Sequence, residues 1–388
     1  MLKILVSITI LSNLLLAYDS FQSIEKTKND FKSFKNSQLI SYKDYELMHY
    51  DAIKQYKNDL NTVWDVPTLT SKNNLVSYTP DKKTRTDIDF KNEEIILQTL
   101  ARTPDEAKLK LQIALAKAVT IDTKSLFEND PLQKKLAEIR KPNTMKTSPI
   151  NAKPILSPII FSESPTQKSV RNYVNNHIKY NKIKVKKSKK IRHSRIYTTR
   201  VKMPNNSIVK RSKIYYDDVK RESRRQNIPM PLIFAIMHSE SSFNPLAKSH
   251  APAFGLMQIV PKTAGRDAYK YLYNKSRLVS SIYLYNSTNN IKMGTAYLHI
   301  LYYKYLKNID NEDAKLYCTI AAYNTGAGNV AWAFTKNNDV KSASKIINTM
   351  KPKAVYNHLL RHLKYDEPKY YLKKVTSRMP IYHKLYGV

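Results

Sequence analysis

Cysteine is almost missing from this chain of 388 residues: Cys318 is the only one. A single thiol closes no internal disulfide and supplies no cysteine-based metal cluster. It lies in the apolar run Leu316-Tyr-Cys-Thr-Ile-Ala-Ala322, where it reads as a small buried hydrophobe rather than a nucleophile. Glycine is scarce as well. Four of the six (Gly255, Gly265, Gly326 and Gly328) fall in short segments of the C-terminal half, which marks those points for special backbone geometry. Acidic charge is the third deficit, with 31 Asp and Glu against 66 Lys and Arg, a net charge of +35. Such a field favours polyanionic partners (nucleic acid, acidic lipid headgroups, carboxylate-bearing wall polymer) and says nothing about fold. The apolar run at residues 4–16 is too short to span a membrane.

That run has another reading. A basic start at Lys3, the apolar stretch, and Ala17 before Tyr18 form the pattern of a secretory signal peptide over residues 1–17. Export would place the protein in the periplasm and argues against nucleic acid as the polyanion. The length, with 42% apolar residues, suggests two domains.

Residues 20–64 carry apolar and aromatic residues at helical spacing, from Phe21 through Tyr56 and Leu60 to Trp64. Alternation then predicts strands at 75–78, 86–90 and 94–99, with Lys91-Asn92 as a turn. Thr103-Pro-Asp-Glu106 is a helix start, and a second short helix is expected after Pro131. Residues 140–170 are rich in proline, with Ile155–Phe161 as a candidate edge strand; a helix is expected at 166–179. The Lys-rich run 179–192 reads either as a solvated face or as a patch that holds a polyanion, and Arg195–Met203 alternates like a strand. The reading is an α+β fold class: an N-terminal α+β domain over residues 18–204, then an all-α domain over 205–388. In the latter, helices are expected over Ile208–Arg225, from Pro231 to a stop at Pro245, over 291–306 and over 312–323, with shorter ones after.

The helix from Pro231 sets Leu232, Ile233, Ile236 and Met237 on one face, and Glu240 shares it. A carboxylate there is either paired or kept partly protonated, because desolvation disfavours its charge. Taken alone, it reads as a helix-end Glu reaching solvent or an Arg. The residues downstream alter that reading. Ser241-Ser242-Phe-Asn244-Pro245 and Ser249 come next, then Gly255-Leu-Met-Gln258, Thr263-Ala-Gly-Arg-Asp267, Ala321-Ala-Tyr323-Asn324-Thr-Gly326-Ala-Gly328 and Glu367-Pro-Lys-Tyr-Tyr371. In this order and spacing the set resembles the lytic transglycosylases with a lysozyme-like Slt domain, glycoside hydrolase family 23. Trp64-Asp-Val-Pro-Thr-Leu69, Val76-Ser-Tyr-Thr-Pro-Asp81 and Ile88-Asp-Phe-Lys-Asn-Glu93 look like the N-terminal domain of a membrane-anchored member of that family.

The resemblance implies an all-α lysozyme-like catalytic domain behind a murein transglycosylase-associated domain. It implies cleavage of the β-1,4 bond between N-acetylmuramic acid and N-acetylglucosamine, with closure of a 1,6-anhydro ring. Glu240 would be the one catalytic acid/base, and Ser249, Met257, Gln258, Tyr323, Asn324 and Tyr371 would position substrate, with Met257 on the cleft wall and Tyr370 competing with Tyr371. No cofactor and no metal is implied. The partners would be peptidoglycan glycan strands, with peripheral contact to an anionic membrane or wall surface. A lipid anchor on a cysteine after the signal is excluded, since Tyr18 stands there. Two alternatives stay open: a muramidase using Asp267, Asp366 or Glu367 to activate water, and a non-catalytic wall-binding scaffold.

Overall fold

The computed structural model describes Glu25 and residues 41–179, 182–249 and 252–387. The expected signal segment and the first part of the 20–64 helical stretch lie outside the described residues. The rest of that stretch is one helix, Tyr42–Asn61, whose start is capped by the Ser41 hydroxyl accepting from Asp44 N.

The strands form one antiparallel sheet: β1 (Asn74–Tyr78), β2 (Thr84–Asp89), β3 (Glu94–Ala101), β4 (Lys184–Lys187) and β5 (Arg195–Lys202), in the order β1-β2-β3-β5-β4. Residue parity sorts its two faces, as the strand period requires. Leu75, Ile95, Leu97, Tyr197 and Val201 join Leu111 and Leu115 of the helix Pro104–Thr120. Val76, Leu100 and Ile196 face the other way, onto Tyr56, Leu60 and Trp64. The helix Pro104–Thr120 begins as its sequence indicates: Pro104 sits in the first turn, Thr103 Oγ1 accepts from Glu106 N, and Glu106 reaches back to Arg102 N.

Several expectations need correction. Ile155–Phe161 is no strand; it contains the helical turn Ser157–Ile160. The buried residues Ile155, Leu156 and Ile159 are spaced for a helix rather than alternating, and Pro158 suits a first turn. Ile208–Arg225 is two helices, Ser207–Lys213 and Tyr216–Gln226, broken where Ser212 Oγ bonds Val209 O and Tyr215 turns inward onto Phe243. The 291–306 helix is Ser287–His299, continued as a π-helical turn over Ile300–Tyr305. A helix at Thr123–Asn129 was not foreseen, and the chain ends in a helix of 21 residues, Asp366–Tyr386, rather than short ones. The helices Pro131–Glu138, Gln167–His177 and Glu312–Thr325 lie where expected. In the Lys-rich run, β4 is an edge strand with all four residues exposed.

After residue 204 every described element is helical. One buried apolar cluster nevertheless runs from the sheet (Leu97, Val201) through Met203 and Tyr215 to Ile233, Ile320 and Leu372. Cys318 lies in it, and burial pushes its thiol up to about 12.

Candidate active site

The helix Met230–Ser241 carries Glu240 at its end. It is buried nearly all round, from Pro231 to Met237 and again at Ser239, Glu240 and Ser241, so it is a central helix rather than an amphipathic one. It stops before Pro245, because Ser242 (φ 50°) and Phe243 (φ 63°) both take the left-handed conformation. Non-glycine residues in that region are uncommon and bulky ones are strained, so their neighbours must hold them. Arg211 does so. It is 1% exposed, and its Nη1 donates to Ser242 O (2.7 Å) and Phe90 O (2.9 Å) while its Nη2 meets Glu93 Oε1 at 3.1 Å. The helix end is thereby tied to the β2–β3 turn.

The Glu240 side chain is 6% exposed, and Lys72 Nζ lies 2.8 Å from its Oε2. Of the two fates open to such a carboxylate, the structure shows pairing. Lys72 is brought there by its loop. Asn244 Nδ2 donates to Ser71 O and Asn74 O (both 3.3 Å), Lys248 N donates to Ser71 O (3.4 Å), and Ser242 Oγ donates to Asn73 Oδ1 (3.4 Å). From the C-terminal helix come Tyr371, Lys374 and Arg378. Burial first, and the Glu240 charge second, push the Tyr371 hydroxyl well above the usual phenol range. That hydroxyl faces the carboxylate without meeting strict hydrogen-bond geometry. Tyr370 beside it is 68% exposed, so Tyr371 is the tyrosine at the site. Lys374 Nζ donates to Ser239 O (3.0 Å), and burial, then Arg378 and Lys72, bring its pKa down to about 8. Arg378 Nη1 donates to Ser239 Oγ (3.1 Å). Tyr323 is also pushed well up, by burial and then by Glu240.

The turn 254–258 forms the next wall. Gly255 has φ +75°, and a Cβ there would collide with the Asn290 side chain and Leu284 O, so glycine is required. Asn290, fully buried, accepts from Met257 N (2.8 Å) and donates to Phe254 O and Leu284 O (2.8 Å each). The Met257 side chain packs against Gly294 in the core; its carbonyl, not its thioether, reaches the site by accepting from the Tyr323 hydroxyl at 2.8 Å. Gln258 is left-handed (φ 48°), and its Nε2 donates to Gly255 O (3.0 Å) and Ala247 O (3.2 Å). Its Oε1 is buried with no hydrogen-bond partner among the described residues. Ser249 is half-buried and lines a cavity it shares with Lys72. Asn324 follows Tyr323, half-buried, two residues before Gly326 (φ +86°), which ends the helix. Of the four glycines marked in the sequence, only Gly255 and Gly326 have positive φ. Asp366 and Glu367 are exposed, Asp366 beside Lys369, while Asp267 accepts from the Tyr305 hydroxyl.

The family profile described as "Transglycosylase SLT domain" matches residues 218–346. The membrane-bound lytic murein transglycosylase C of Mannheimia succiniciproducens is 32% identical over 338 residues, 85% of this chain and 88% of the relative. That of Glaesserella parasuis is 33% identical over 335 residues, 84% and 85% respectively. The chain belongs to the membrane-bound lytic murein transglycosylase C family. Among solved structures, the soluble lytic transglycosylase Slt70 of Escherichia coli is 27% identical, with a TM-score of 0.34, over 45% of this chain and 24% of that one.

The transglycosylase C relatives align with both the sheet and the helices, since the shared part spans 85% of this chain. Sequence reasoning missed four residues that build the site: Lys72, Arg211, Asn244 and Asn290. Asn244 stood in the motif without a role, and the other three are single polar residues whose bonds to the site, such as Arg211 to Ser242 O, Asn290 to Met257 N and Lys72 to Glu240, join positions at least 31 residues apart. One signal was available. Ser242 and Phe243 follow a buried helix with no glycine to relax the turn, which calls for an anchor such as Arg211.

Proposed function

We propose that this chain is a lytic transglycosylase acting on peptidoglycan, and that Glu240 is its one acid/base at the β-1,4 bond from N-acetylmuramic acid to N-acetylglucosamine. Protonated Glu240 gives its proton to the glycosidic oxygen as the bond to C1 breaks. The resulting carboxylate takes the proton of the muramyl 6-hydroxyl, whose oxygen closes on C1. No water is consumed, and the product ends in a 1,6-anhydro ring.

The observation that carries this reading is the set of groups around Glu240. They are Lys72, Tyr323, Tyr371 and Lys374; of the candidate second carboxylates, Asp366 and Glu367 are exposed and Asp267 is engaged by the Tyr305 hydroxyl. A hydrolase of the usual kind needs a partner carboxylate as nucleophile or base. Lys72 is paired with the Glu240 carboxylate, so that contact has to open before Glu240 can deliver a proton. Tyr371 and Tyr323 flank the carboxylate, Tyr371 with its hydroxyl toward it and Tyr323 fixed by its bond to Met257 O. The open Gln258 Oε1 suits a sugar N–H or O–H donor, and Ser249 and Asn324 meet the glycan at the rim. In this reading residues 18–204 shape the cleft and 205–388 perform the chemistry.

The relatives' name, membrane-bound, supports association with the cell envelope. Among the described residues no helix is long and apolar enough to cross a membrane. The exposed Lys184, Lys186 and Lys187 of β4 suit peripheral attachment to an anionic wall or membrane surface in the periplasm.

The test is mass spectrometry of sacculi digested by wild type and Glu240→Gln. Wild type should release muropeptides lighter than the hydrolytic products by one water. The variant should bind sacculi and cleave them about 10²–10⁴-fold more slowly. Only the heavier products, or undiminished cleavage by the variant, would sink the proposal.

A further inference from the structure

A cavity of about 940 Å³ meets the site from the sheet side, between the helix Tyr42–Asn61, the loop before β1 and the segment 246–249. The catalytic reading uses only its inner end, at Lys72 and Ser249. Its other cations are Lys54 and Lys57, exposed on the helix, and Lys248. Among the described residues these three make no ion pair. Burial brings the Lys248 ammonium down to about 8, a cost that an incoming anion would offset. The one acid on the wall, Asp130, is engaged as the cap of the helix Pro131–Glu138, accepting from Gln133 N at 2.9 Å. The trough is therefore a cationic channel, with Lys54, Lys57, Lys72 and Lys248 against the one carboxylate of Asp130, and it ends on the Lys72–Glu240 ion pair.

The substrate carries the missing charge. In murein the muramyl residue bears a stem peptide with free carboxylates. When that residue lies at Glu240, its stem must leave the cleft beside it, and at about 3.3–3.6 Å per residue a few residues reach well along a cavity of this size. We propose that the trough receives this acidic stem peptide, and that a stem carboxylate draws Lys72 off Glu240. The exchange replaces one ion pair by another. Glu240 is then free of its cation for the acid role that the catalytic reading gives it. Besides Lys72, the groups facing Glu240 are Tyr323 from the helix Glu312–Thr325 and Tyr371 and Lys374 from the C-terminal helix, with Arg378 behind Ser239. All of these stay in place, so only Lys72 is exchanged.

This inference rests on the catalytic reading of Glu240, and the experiment separates the two. The full chain is assayed on sacculi and on sacculi whose carboxylates have been converted to amides with carbodiimide and ammonia. Total strand cleavage is followed, whatever the product. Wild type should cleave native sacculi about tenfold faster than amidated ones, the scale of one hydrogen bond to a charged group. Lys72→Met and Lys57→Met should each bring that ratio toward one. Lys57 is exposed and away from Glu240, so its variant reads the trough even where Lys72→Met disturbs the loop. A wild-type ratio near one, or a ratio unchanged in both variants, overturns the proposal. Product mass answers the separate question of lyase or hydrolase.

Discussion

The two walls of the cleft are made differently. The helical wall consists of side chains fixed from within: Asn290 holds the turn 254–258, Tyr323 bonds Met257 O, and Tyr371 is buried against Glu240. The sheet-side wall is a half-exposed loop whose backbone carbonyls are pinned by Asn244, with Lys72 as the side chain it sets on the carboxylate. In the proposed reading, rigidity is concentrated where orientation matters, at Glu240 and its tyrosines, and adjustability lies where Lys72 must be able to leave.

That contrast can be broken from either side. Asn290→Ala strips partners from Met257 N, Phe254 O and Leu284 O at once, and should cost about 3 kcal/mol or more in a denaturant titration, with activity lost as well. Arg211→Met removes the tie between the walls and should cost about 2–3 kcal/mol, read the same way. Tyr371→Phe should separate function from stability: kcat/KM on sacculi falls about tenfold to hundredfold, while Tm holds or rises because a buried hydroxyl without a well-aligned partner has gone. A fall in Tm with unchanged kcat/KM would make Tyr371 a packing residue. Asn244→Ala frees only the loop and should cost about 1 kcal/mol, with a few-fold change in kcat/KM.

Acid provides a milder probe of the helical wall. Burial, then the nearby Arg378, holds the His238 imidazole down at about 3 against an ordinary 6.5. The unfolded chain binds that proton first, so stability is intact above pH 6.5 and is lost as pH falls toward 3. Thermal melts across that range should show a shallower loss in His238→Gln than in wild type.

Much of this was legible in the sequence. Strand alternation placed β1, β2, β3 and β5, and the cap at Thr103 and the first-turn Pro231 placed their helices, because these signals are local. Glu240, Tyr323 and Tyr371 came from motif order, and the structure gathers them at one point. Tyr370 and Tyr371 are told apart only by burial, Tyr371 lying inside against Glu240 and Tyr370 outside. Lys72 could not be read, since its meaning depends on a loop 168 residues earlier being docked beside Glu240 by a side chain just past that glutamate. Met257 was expected on the cleft wall but contributes a carbonyl, a distinction invisible to residue type. The break at Ile214-Tyr215 escaped the helical pattern because tertiary packing of Tyr215 on Phe243 overrode it.

Arg211 bears on modularity. A fragment starting after residue 204 would keep this guanidinium in its apolar surroundings while losing Phe90 O and Glu93, leaving Ser242 O and the groups of its own helix. It would also uncover the part of the core that Leu97 and Val201 now complete. The catalytic helices are thus not a cassette to be lifted out and transplanted; any fusion or truncation that keeps the chemistry has to carry the β2–β3 turn with it.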